Sequence, residues 1–116
     1  IIVVSPARAQ TLKQLQASKL RVTRECYADR RYDSAGAIVD RSQPNALLDG
    51  AEEAAAQIVN VVRNKYVVAE DGARVPMQAD TFCLHSDTPG AAEMGKAVAA
   101  ALKAENIAIK PAAGII

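Results

Sequence analysis

The sequence predicts an α/β chain of parallel strands joined by crossover helices, a sheet or barrel segment. Three observations carry this. Short β-branched runs alternate with stretches of helical periodicity. Turn and capping residues stand at the junctions. Half of the residues are hydrophobic but only 3% are aromatic. The core is therefore built of small aliphatics, which suits helices laid closely on strands.

Ile1–Val4 is a continuous β-branched run and reads as a short buried strand. Ser5 suits an N-cap and Pro6 a first helical residue, so a helix is expected from there to about Ser18, on Ala9, Leu12 and Leu15. Leu20–Cys26 alternates as a strand does, which completes a β-α-β unit with a right-handed crossover as the default. Tyr27–Ala46 is polar and lacks either periodicity. At about 20 residues it is long for a loop in a compact domain, and such loops are usually functional or disordered.

Asp49-Gly50-Ala51-Glu52 reads as a capping box in its Asp form, opening a helix with Ala54, Ala55, Ile58, Val61 and Val62 on one face to about Lys65. Tyr66–Ala69 and Ala73–Met77 flank Asp71-Gly72, a hairpin signal, and Pro76 confines the second arm to an edge. Thr81–His85 is another apolar strand. Thr88-Pro89 caps the next helix, which carries Met94, Val98, Ala101 and Leu102 on one face. Asn106 ends it, and Ile107–Ile109 gives a last strand. No pattern is visible after Lys110. The expectation is a single domain over residues 1–116.

Net charge is +1, with no basic patch beyond the adjacent Arg30 and Arg31. A nucleic-acid partner is not expected. No apolar stretch approaches the ~20 residues of a membrane span, and no targeting segment is visible. Cys26 and Cys83 lack zinc spacing and are too few for a disulfide framework. They read as reduced, buried thiols of a cytoplasmic protein. The chain opens without Met and inside a strand, so the expectation is a processed or partial chain. Its sheet edges would then pair with another chain, a second copy of itself included.

In parallel α/β folds functional residues gather at the carboxyl ends of strands. Two polar clusters stand at such ends. Glu25, Asp29, Arg30 and Arg31 offer two carboxylates and two planar guanidiniums, a set able to bind an anion or position a carbonyl. The alternative is a local salt-bridge network that fixes the long loop. His85 and Asp87 form the second cluster. Histidine suits proton transfer near neutral pH, and Asp87 could orient it or act as a base. The alternative here is a hydrogen-bonded strand end followed by a helix cap. Arg41-Ser42-Gln43-Pro44 either closes over a site or ties the loop down. Thr88-Pro89-Gly90-Ala91 opens a helix whose N–H groups can receive an anion. No Gly-x-x-x-x-Gly-Lys-Ser/Thr loop is present. One histidine argues against a His-rich metal site, and no metal ligands are assigned.

Glu25-Cys26-Tyr27-Ala28-Asp29-Arg30-Arg31-Tyr32 resembles the Glu-x-Phe-Ala-Asp-Arg-Arg-Tyr signature of the LamB/YcsF family. Arg41-Ser42-Gln43-Pro44 follows where the family reads Arg-Ser-Gln-Pro-Gly-Ala, with Asn45 in place of a Gly. Asp49–Ala54 resembles the Asp-Pro-Glu-Glu-Ala helix start. Asp71-Gly72 ahead of Val75-Pro76 resembles the family hairpin. Asp80–Asp87 resembles Ala-Asp-Thr-Ile-Cys-Val-His-Gly-Asp, with Ser86 in place of Gly. The family's N-terminal motifs, Asp-Leu-Asn-Cys-Asp, Gly-Phe-His-Ala-Gly-Asp and Lys-Pro-His-Gly-Ala-Leu-Tyr, are absent, so the resemblance is to its C-terminal half.

The resemblance implies part of an irregular (β/α) barrel of the glycoside hydrolase/deacetylase type. It implies one component of ATP-dependent 5-oxoprolinase, which opens the lactam of 5-oxoproline to glutamate with ATP as co-substrate and other 5-oxoprolinase subunits as partners. It implies catalytic roles for His85, Asp87 and Asp29. Glu25, Arg30, Arg31, Arg41 and Gln43 are the implied substrate or phosphate contacts. The alternative is a non-catalytic binding or remnant protein of the same family. A metal-dependent deacetylase by fold analogy is weaker, for want of a ligand triad.

Overall fold

The computed structural model of the chain describes residues 1–114. Its elements run β1 Ile2–Pro6, α1 Leu12–Ala17, β2 Arg21–Tyr27, α2 Ala51–Asn64, β3 Tyr66–Val68, β4 Arg74–Pro76, β5 Thr81–Cys83 and α3 Ala91–Ala104, with a 3-10 turn at Ala112–Gly114. The fold class expected from the sequence is the one observed. Strands β1, β2 and β5 form a parallel sheet in that order, with β2 central. Strands β3 and β4 form a separate antiparallel ribbon around Asp71-Gly72, as the hairpin signal predicts. Among the described residues no helix is long and apolar enough to cross a membrane.

The two faces of β2 are unlike, because successive side chains of a strand point to opposite sides. Cys26 and Ala28 turn toward the helices. Cys26 packs with Tyr32, Val61, Val67, Val75 and Met77, and Ala28 packs with Ile58 and Leu102. A third cluster, Leu48, Ala54 and Met94, lies between α2 and α3. Helix α2 thus has its predicted apolar face against the sheet, the ribbon and α3 together. Glu25 and Tyr27 turn to the other face. The long loop after β2 is ordered by doubling back on itself: Arg31 N–H donates to Ala46 C=O at 2.9 Å and Val39 N–H to Arg31 C=O at 2.9 Å. Gly36 has φ +86, and a Cβ there would collide with the Arg8 guanidinium, so this turn requires glycine.

The amino end of the β2–β5 pair is held by a clamp. Arg24 reaches Asp80 through Nε and Nη2 at 2.9 and 2.7 Å, and Arg24 N–H donates to the same carboxylate at 2.9 Å. These bonds hold the Asp80 carboxyl below the usual carboxylate range.

Four local expectations are corrected. Ser5 and Pro6 belong to β1, opposite Arg24 and Glu25, and do not open a helix. The chain turns over 7–11 first, and α1 is a six-residue helix from Leu12. The pull of a parallel partner outweighs the capping preference, and Pro at a strand end need not donate. At α2 the N-cap is Gly50, not Asp49. Asp49 gives its carboxylate to Arg31 instead, and Glu53 accepts the Asp49 N–H at 2.8 Å. Likewise Gly90, not Thr88, caps α3, since the Thr88 hydroxyl is committed elsewhere. Finally, Ile107–Ile109 forms no strand. Ile107 packs under α2 and α3 while Ile109 is exposed, and no neighbouring strand offers a ladder among the described residues. The patternless tail includes 115–116, which lie outside the described residues.

Two outcomes follow. Ile58 is fully buried between the sheet and α3, so Ile58→Ala lowers unfolding free energy by about 2–5 kcal/mol in urea titration. The Asp80 carboxyl, with its folded value depressed, adds stability that is fully present above the ordinary Asp value and is lost as pH falls through the folded one. Asp80→Asn therefore unfolds more easily at neutral pH, and its stability falls less steeply below about pH 4 than that of the unmodified chain.

Candidate functional site

The site follows from strand register. Tyr27 of β2 stands opposite Cys83 of β5, and the ladder continues one step as Ala28 N–H donates to Cys83 C=O at 2.8 Å. Two residues beyond this pair on each strand come Asp29 and His85. They meet although they are 56 positions apart in sequence. The His85 Nδ1 lies 3.0 Å from both Asp29 carboxylate oxygens. The His85 N–H donates to Asp29 Oδ2 at 3.2 Å, and the Thr88 hydroxyl donates to the same oxygen.

Asp29 is fully buried. Burial alone would raise its pKa, but the hydrogen bonds from Thr88 and His85 outweigh it and hold the carboxyl below its ordinary range. An ionised carboxylate only accepts. Nδ1 of His85 must then carry the hydrogen, so that in the neutral ring Nε2 holds the lone pair. Nε2 points to the half-exposed Cys83, 3.6 Å from Sγ. The Tyr27 ring lies 5.2 Å from the imidazole between centroids, tilted by 40°. Asp29 thus orients the His85 ring, whose Nε2 stands at the carboxyl end of the sheet.

The other expected residues are placed as follows. Glu25 shares the face of Tyr27 and lines a pocket of about 270 Å³ with Tyr27, Tyr32, Ile38 and Met77. Arg30 is buried and donates to Val39 C=O at 2.8 Å, and its Nε has no partner among the described residues. Arg31 turns away to α2, pairing with Glu53 at 2.7 Å and Asp49 at 2.8 Å. These partners lie outside the cluster Glu25, Asp29, Arg30 and Arg31, within which the sequence offered a salt-bridge network as the alternative. Arg41 and Asp87 pair with each other at 2.8 Å, both largely exposed, and neither side chain is hydrogen-bonded to His85 or Asp29 among the described residues. The Arg41 partner holds the Asp87 carboxyl below its usual range. Gln43 is exposed, with its backbone in the turn after Asp40. Among the described residues no three His, Cys, Asp or Glu groups are placed to hold a metal ion.

Three residues of the site escape a reading by motif. Thr88 resembles a helix cap but serves Asp29. Cys83 resembles a buried core thiol but faces His85. Gln57 is buried on α2, and its amide donates to Tyr27 C=O at 2.8 Å and Arg30 C=O at 3.0 Å. It fixes the backbone on either side of Asp29. Its only sequence signal is a polar residue on the apolar face between Ala54 and Ile58.

Parallel strands that deliver an oriented carboxylate–histidine pair at their carboxyl ends define an α/β protein of the kind whose sites are built from strand ends. More particularly, the chain belongs to the LamB/YcsF family, whose model matches residues 1–116. It is 40% identical over 114 residues to the 5-oxoprolinase A subunit of Rhodopseudomonas palustris (strain BisB18), covering 98% of this chain and 45% of that protein. It is 39% identical over 114 residues to the 5-oxoprolinase A subunit of Methylococcus capsulatus, covering 98% and 44%. The crystal structure of the lactam utilization protein from Thermus thermophilus matches with a TM-score of 0.84 at 30% identity, covering 95% of this chain and 43% of that one. The chain spans less than half the length of these relatives.

Removing the Gln57 amide takes the donor from the Arg30 C=O and leaves the Tyr27 C=O only the long Cys26 thiol contact at 3.9 Å. Gln57→Leu is expected to lower stability by about 1–3 kcal/mol in thermal or urea unfolding. An unchanged midpoint would mean that those carbonyls find other partners.

Proposed function

We propose that these residues form part of the active site of a 5-oxoprolinase A-type subunit, with His85 as the base in ATP-dependent opening of a lactam such as 5-oxoproline to glutamate. The observation that carries the reading is the Asp29–His85 pair at the strand ends, with Nδ1 3.0 Å from both carboxylate oxygens and Nε2 turned away from them toward Cys83. The names of the relatives supply the substrate class. In this reading Nε2 takes the proton of the attacking group and returns it to the leaving ring nitrogen. Asp29 is a positioning residue that stabilises the imidazolium between the two transfers. In this reading Glu25, on the same face, accepts from the lactam N–H, while the exposed Arg41, Asp87 and Gln43 are given no part in the proton transfers.

A lactam is a poor electrophile, and phosphorylation of its oxygen by ATP would supply the activation. The three arginines assigned to phosphate contacts are committed elsewhere. Arg31 is neutralised by two carboxylates, Arg41 by one, and Arg30 is buried on a backbone carbonyl. We assign nucleotide binding to the rest of a full-length chain or to the partner subunits. On the same reading the sheet is part of an irregular (β/α) barrel, with the face of Glu25, Tyr27 and Cys83 inward.

The test is glutamate formation from 5-oxoproline and ATP by the complete enzyme with its partner subunits. His85→Gln should lower kcat by about 100-fold or more while the protein stays folded. An unchanged kcat would remove His85 from the chemistry and leave a non-catalytic binding module as the reading of this segment.

A further inference from the structure

Four ionisable side chains share the inner face of the β2–β5 pair beside Asp29: Glu25, Tyr27, Cys83 and His85. The base role of His85 uses only its imidazole. The group nearest its lone pair is a thiol, with Cys83 Sγ 3.6 Å from Nε2. The three side chains Cys83, His85 and Asp29 therefore stand in the order nucleophile, base and orienting carboxylate, each joined to the next by a hydrogen bond. The strand explains the order, because Cys83 and His85 are two residues apart and share a face.

We infer that Cys83 is the nucleophile that first attacks the lactam, forming a thioester before water does. This role for Cys83 rests on the proposed lactam-opening activity. The thiol gives its proton to Nε2 as Sγ bonds to the ring carbonyl carbon. The ring C–N bond breaks, and the nitrogen takes that proton from the imidazolium. The lactam oxygen stays on carbon as the thioester carbonyl, and the phosphoryl group that activated it leaves to water as inorganic phosphate. A second water, deprotonated by Nε2, attacks the thioester. The C–S bond breaks, the sulfur takes the proton, and the new carboxylate is the side chain of glutamate.

The surroundings suit a thiol activated on demand rather than a standing thiolate. Burial, then the nearby Glu25 and Asp29 carboxylates, push the Cys83 thiol above its ordinary range. The proton therefore leaves only as the carbon–sulfur bond forms and the base receives it. Cys26 is the internal contrast. It is fully buried, accepts from the Tyr32 hydroxyl at 3.3 Å and is pushed up to about 11, chiefly by burial. It is a core thiol with no access to substrate.

The decisive measurement is kcat of the complete enzyme carrying Cys83→Ala and, separately, Cys83→Ser, both checked for native circular dichroism. Cys83→Ala is expected to lose about 100-fold or more in kcat with KM within a few-fold. Iodoacetamide is expected to label Cys83 before Cys26, and His85→Gln to slow that labelling. Cys83→Ala with kcat within a few-fold of the unmodified enzyme overturns the proposal. If His85→Gln is inactive in the same series, direct attack by water remains and the lactam-opening role stands. If His85→Gln is active as well, that role falls with it.

Discussion

A buried carboxylate governs the architecture of this chain. Asp29 has no exposed surface, and a charge in that position is costly unless donors surround it. It receives the imidazole N–H and backbone N–H of His85 and the hydroxyl of Thr88. All come from the segment after β5, so the carboxylate ties the exit of one strand to the exit of its neighbour. Its own carbonyl accepts the Leu48 N–H at 3.0 Å, which anchors the return of the long loop. Loop, sheet and the approach to α3 meet at this residue.

The parallel pair β2–β5 is braced at both ends, by different chemistry. The amino end carries the Arg24–Asp80 pair, partly open to solvent and suited to holding register. The carboxyl end carries Asp29 and His85, where hydrogen bonds to a buried carboxylate orient the imidazole. Between them the helix-facing side is apolar and closed by α2, while the opposite side presents Glu25, Tyr27 and Cys83. A helix such as α2, with a nearly uniform apolar face, admits one polar residue there. That residue, Gln57, serves the two carbonyls that flank the site. Stability and site geometry thus share one set of contacts.

Much of the fold was legible in the sequence because strands and helices here have clear periods. The alternation before Cys26, the apolar face of α2 and the Asp-Gly hairpin translated directly; the β-branched run at the start is a strand but not a buried one, since Ile1 and Val4 are exposed. Caps did not, and the reason is specific. Asp49 and Thr88 have the side chains of caps, but each met a stronger tertiary partner, Arg31 and Asp29 respectively. Ile107–Ile109 has the composition of a strand, yet pairing is a property of neighbours, not of composition. The site was half legible. Asp29 and His85 were both visible as strand-exit residues, but their meeting depends on β5 lying beside β2, which local pattern does not encode. Arg31 and Asp87 stand close to them in sequence and were grouped with them for that reason. The backbone beyond a strand end turns each aside, to α2 and to Arg41.

Everything proposed for the site requires that Asp29 hold His85 with hydrogen on Nδ1 and a lone pair on Nε2. Two-bond nitrogen–proton correlation spectra of the imidazole test this directly, and the chain contains a single histidine, so the assignment is unambiguous. At alkaline pH, where the ring is neutral, the spectrum should show Nδ1 protonated and Nε2 bare, and Asp29→Asn should abolish that preference. A ring with hydrogen on Nε2 in the unmodified chain would contradict the account.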